Sequence, residues 1–160
     1  MTEVGIKLGL EAKLPDGVVH LKKDRLVYTN LDNVSKAAIL VTGYPEGPGL
    51  IATPDKSLEK LFTHAKDNEY AFIQAYLGPS PWAIKGLSAN IKKAFALVEK
   101  KNTTLAVFST GALGLMGLEI PATVNHVVFM SPMIGIDCIQ GRFATLASPE
   151  LTRYHGPLLR

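Results

Sequence analysis

Four short apolar runs, separated by stretches of helical spacing, constrain this chain more than anything else in it. They cover residues 37–41, 70–77, 104–108 and 126–130. Short continuous runs of this kind suit strands covered on both faces, as in parallel sheets. After the first run, Leu58, Leu61, Phe62 and Ala65 repeat at helical spacing, with Asp55 or Thr53 placed to cap the helix and Pro54 near its first turn. After the second, Leu87, Ile91, Ala94, Phe95 and Val98 mark the apolar face of a helix from about Trp82 or Ser88 to Lys100. Lys92, Lys93, Lys100 and Lys101 fall outside that face. Strands alternating with helices imply an α/β fold with right-handed crossovers. The expectation is a three-layer domain, its mainly parallel sheet of four to five strands flanked by helices on both faces.

The 160 residues fit one domain. Residues 1–36 read as an N-terminal strand and hairpin extension, 37–145 as the core and 146–160 as a tail. In the extension, Val4, Ile6, Leu8 and Leu10 alternate as in a strand, and Pro15-Asp16-Gly17 signals a turn. Residues 18–21 and 26–28 flank the charged group Lys22-Lys23-Asp24-Arg25, the pattern of a hairpin or of a strand with an edge extension. Hydrophobic residues make up 47% and charged residues 19%, too apolar for a disordered chain. No stretch approaches the roughly 18 apolar residues of a membrane span, and Met1-Thr2-Glu3-Val4-Gly5 lacks a signal-peptide pattern. A cytoplasmic protein without membrane contact is expected. The formal charge of +3 permits nucleic-acid binding without arguing for it. Cys138 is the single cysteine, flanked by apolar residues, so internal disulfides and multi-cysteine zinc sites are excluded.

Two loops stand at expected strand ends. Residues 42–49, Thr-Gly-Tyr-Pro-Glu-Gly-Pro-Gly, follow the first apolar run and cannot be regular structure. Ser109-Thr110-Gly111 opens a small-residue stretch after the third run. Open α/β sheets place their ligands at such carboxyl ends.

Beyond that stretch come Gly117-Leu118-Glu119-Ile120-Pro121, then Asn125-His126-Val127-Val128, Ser131-Pro132 and Ile139-Gln140-Gly141-Arg142. This order resembles the second RecA-like domain of superfamily 2 helicases. The resemblance implies that Ser109, Thr110 and Gly117 approach a nucleic-acid backbone. It implies that Glu119 faces the nucleotide and that Gln140 and Arg142 belong to the element contacting its phosphates. The chain has no Gly-x-x-x-x-Gly-Lys-Ser/Thr phosphate loop, so no ATP hydrolysis by the chain alone and no bound cofactor are expected.

Val107-Phe108-Ser109-Thr110-Gly111 also resembles the nucleophile elbow of α/β-hydrolases, Gly-x-Ser-x-Gly, with Val107 at the first glycine position. That resemblance implies Ser109 as nucleophile, Thr42-Gly43 in the oxyanion loop and Met130-Ser131-Pro132 at a later strand end. Asp137 and His155 follow in the order of a triad's acid and base. The four histidines, His20, His64, His126 and His155, show no metal-ligand spacing. The functional expectation is a non-catalytic interaction or assembly module, nucleic-acid-linked through the helicase likeness. It would take a protein partner or a second copy of itself. The alternative is a small α/β-hydrolase-like enzyme using Ser109 and His155.

Overall fold

A computed structural model describes residues 14–29, 31–43, 58–77 and 84–130, with only the backbone of Ile84 and Lys85. The elements are β1 (Val19–Leu21), β2 (Leu26–Tyr28), β3 (Lys36–Thr42), α1 (Glu59–Asp67), β4 (Ala71–Tyr76), α2 (Ile84–Leu97), β5 (Asn102–Phe108) and β6 (Val124–Met130). A 3-10 turn, Lys22–Asp24, joins β1 to β2, and a 3-10 helix, Ser109–Leu115, comes after β5.

The six strands form one mixed sheet in the order β1-β2-β4-β3-β5-β6. β4, β3, β5 and β6 run parallel, and β1 and β2 are antiparallel additions beside β4. The sheet therefore has more strands than the expected four to five, because the hairpin of residues 19–28 joins it. Leu26 and Val27 are almost fully buried and pair with Ala75 and Gln74 of β4. The turn between β1 and β2 closes through Arg25, whose left-handed backbone (φ 50°) donates its amide to the Lys22 carbonyl.

Burial explains why β3 lies in the middle. Ile39, Leu40 and Val41 are all within 3% of full burial, so neither face of the strand meets water. Successive residues divide between two clusters. Leu40 and Phe72 pack with Leu58, Phe62 and Ala65 of the α1 region. Ile39, Val41 and Ile73 pack with Leu87, Ile91, Ala94, Phe95 and Val98 of the α2 region. The helical spacing of α2 thus predicts its buried face. In α1 the prediction holds for Leu58, Phe62 and Ala65, but Leu61 is 41% exposed. Phe62 meets Phe72 edge to face, ring centroids 5.0 Å apart. The expected capping residues of α1, Thr53 and Asp55, lie outside the described residues, and Leu58 provides no side-chain cap. At the other end Asn68 Nδ2 donates to the His64 carbonyl at 2.8 Å. No helix among the described residues is long and apolar enough to cross a membrane.

Candidate functional site

Chain direction and strand order together locate the candidate site. From β3 the chain crosses to β4 on one side, then returns past β3 to β5 on the other. The connections diverge between β3 and β5, and ligands in open α/β sheets bind at that point, outside the carboxyl ends of the strands. Here those ends are Thr42-Gly43 and Phe108-Ser109-Thr110-Gly111.

The two chain ends touch. A Cβ on Gly43 would lie 2.9 Å from the Thr110 nitrogen and 2.8 Å from that of Gly111. A Cβ on Gly111 would lie 2.8 Å from the Val41 carbonyl oxygen. Only glycine admits backbones this close at both positions. The backbone of Gly43 therefore sits against the first residues of the 3-10 helix. Ser88 Oγ, from α2, donates to the Gly114 carbonyl at 2.8 Å and ties down the helix's far end.

Ser109 is the strained residue of this turn. Its φ is +50°, while Phe108 before it is extended at φ −113° and ψ 133°. The left-handed region is uncommon for a residue with a side chain. Strain of this kind persists only where the surroundings enforce it, and it concentrates at functional sites. Ser109 is half-buried, whereas Thr110 to Gly114 are buried. Val107, the departure from the elbow pattern, is fully buried within β5 and paired with Val41 and Phe129.

Beside this turn, polar side chains continue along the carboxyl ends. Gln74 Nε2 donates to Thr42 Oγ1 at 3.1 Å, both residues fully buried. Tyr76, in register with Thr42, has its hydroxyl 2.7 Å from His20 Nε2. Sequence reasoning missed these pairs. The available signal was Gln74 inside an otherwise apolar strand, since a buried amide needs a partner.

Gly117 (φ +74°) lies past the far end of the 3-10 helix, and Glu119 is exposed in the turn leading to the amino end of β6. Asp137, Gln140, Arg142 and His155 lie outside the described residues, as do Cys138 and Trp82. His64 and His126 are exposed, on α1 and β6. Lys93 pairs with Asp24, and Lys101 Nζ donates to the Leu31 and Val34 carbonyls, the latter at 2.6 Å. These two lysines fasten surface segments to one another. No group of three or more histidine, cysteine, aspartate or glutamate residues among the described ones could hold a metal.

An open groove of about 970 Å³ lies at the other end of the sheet, with Asp32, Val34, Lys66, Asp67 and Tyr70 among its lining. Burial holds the Tyr70 hydroxyl above its usual pKa of 10.0. Among the described residues, none of the lining follows β3 or β5 directly. No protein-family model and no curated protein matches the chain.

Proposed function

We propose that the chain is a three-layer α/β domain of hydrolase type, with Ser109 as the nucleophile of an acyl-transfer or ester-hydrolysing site. One observation carries the reading. Ser109 is the positive-φ residue on the strand-to-helix turn at the carboxyl end of β5, where the chain connections diverge. A nucleophile elbow needs a strained serine in that place, with its hydroxyl clear of the sheet. The oxyanion hole of such enzymes takes the amide after the nucleophile and one from the loop after the third strand. Here those groups would be the Thr110 amide and an amide from the segment that Gly43 opens, and Gly43 packs directly against Thr110 and Gly111. Their dipoles would stabilise the negative charge that develops when Ser109 Oγ attacks a carbonyl. Asp137 and His155 are assigned as acid and base by chain order.

The nucleic-acid reading has less support. It asks Ser109, Thr110 and Gly117 to serve one backbone, yet the first two open the 3-10 helix and Gly117 lies past its far end.

The test is turnover of a generic activated ester by the full chain and by Ser109→Ala. A serine nucleophile predicts a loss of about 10⁴-fold or more in kcat. Equal rates for both proteins would refute it.

A further inference from the structure

The small net charge of the chain is unevenly placed. Lys93 Nζ of α2 pairs with Asp24 Oδ1 in the 3-10 turn between β1 and β2. Lys22 and Lys23 immediately precede Asp24, Arg25 follows it, and Lys92 precedes Lys93. One ion pair therefore gathers five basic residues from two elements whose paired residues stand 69 positions apart. Asp24 is the one carboxylate in the group. Setting the group aside leaves 12 of the 17 basic residues against 13 of the 14 acidic ones, so it accounts for the positive excess of the chain. Lys22, Lys23 and Lys92 are exposed, and the Lys93 side chain stays 54% exposed even in the pair. Arg25 is half-buried and donates to the Leu77 carbonyl, which leaves the four lysines as the outward charges. Further along α2 and just past it, the exposed Glu99 is followed by the exposed Lys100, so this stretch adds no net charge.

We propose that the β1–β2 turn and the solvent face of α2 form a docking surface for the phosphate backbone of a nucleic-acid duplex, held without reading its sequence. Composition selects this partner. α2 packs Leu87, Ile91, Ala94 and Phe95 into the core and exposes Ala89 and Ala96 beside its lysines. Among the described residues of α2 no exposed side chain is large and apolar, which a helix lying in a membrane surface needs. Protein interfaces are depleted in lysine and centre on aromatic and arginine anchors. Single-stranded sites stack bases on aromatic rings, and the turn and the exposed residues of α2 include none. Lysine is a compact point charge on a flexible stem, suited to phosphates without a fixed contact geometry. Such contacts position a duplex and carry no sequence information. A duplex presents one charge about every 1.7 Å of its axis, so four neighbouring lysines can each meet a phosphate. The surface includes none of Ser109, Thr110 and Gly117, so it stands or falls apart from the Ser109 reading.

Fluorescence anisotropy of a labelled DNA duplex of mixed sequence, titrated with the full chain across a sodium chloride series, tests this. Each phosphate contact contributes about −0.9 to the slope of log K against log salt, so a slope of about −3 to −4 is expected. Lys22→Gln/Lys23→Gln/Lys92→Gln keeps the Lys93–Asp24 pair and should bring the slope to about −1. The control Lys36→Gln/Lys60→Gln/Lys66→Gln removes the same charge from exposed positions on β3 and α1, and should leave the slope unchanged. An equal loss in both triple variants would mean that net charge alone attracts the duplex and would overturn the proposal. Absence of binding at low salt would overturn it too. So would tighter binding, at the same salt, to the matching single strand, to phosphatidylserine vesicles or to polyglutamate.

Discussion

At Ser109 a single dihedral angle sets the conformation of the turn. At an ordinary helical position alanine is more stable than glycine by about 0.5–1 kcal/mol, because glycine loses more backbone freedom on folding. At φ +50° that order reverses, since a Cβ there costs roughly 1–2 kcal/mol. Ser109→Gly is therefore expected to be more stable than Ser109→Ala by about 1 kcal/mol in urea unfolding, with ester turnover lost in both. Alanine the more stable of the two would mean that the turn is not strained. Gly43 supplies the matching steric test. Gly43→Ala forces a methyl against the Thr110 and Gly111 nitrogens and is expected to cost about 1–3 kcal/mol. Gly86→Ala, on α2 with nothing within 4 Å of the new methyl, should stabilise by about 0.5–1 kcal/mol. Tyr70 gives a pH prediction. Its pKa is raised in the folded state by burial, so its contribution is complete below pH 10 and falls as pH rises from there through the folded value. Tyr70→Phe should flatten the alkaline limb of the stability curve; an unchanged limb would contradict this.

At the scale of elements, the two helices differ in how well their spacing reports their packing. Leu87, Ile91, Ala94 and Phe95 of α2, and Val98 just after it, all reach the core. In α1, Leu61 satisfies the same periodicity yet stands 41% exposed, because α1 buries a narrow stripe and periodicity does not give a stripe's width. Phe62→Ala should cost about 3–5 kcal/mol, as it empties the contact with Phe72, whereas Leu61→Ala should stay within about 0.5 kcal/mol. Thermal or urea unfolding separates the two. The hairpin of β1 and β2 shows where local pattern stops. The charges of Lys22 to Arg25 mark the turn, but nothing local says that Leu26 and Val27 will pair with β4. That pairing is a long-range choice, set by which strand leaves a free edge.

For the molecule as a whole, strand order turns local features into a site. The glycine-rich segment after β3 and the small-residue turn after β5 are both legible as loops in the sequence. Their meeting is not, because 66 residues separate Gly43 from Ser109 and only the sheet order makes β3 and β5 neighbours. Ser109 is legible as a candidate in the sequence, whereas its positive φ is not, because the packing of the turn sets that angle. The buried Gln74–Thr42 pair escapes a pattern reading that counts Gln74 within an apolar strand. The central claim, that this turn presents a reactive serine, is tested most directly by treating the full chain with a fluorophosphonate and mapping the adduct by mass spectrometry. A reactive serine at this turn gives one adduct, on Ser109, abolished in Ser109→Ala. An unmodified chain, or an adduct that survives the substitution, would contradict it.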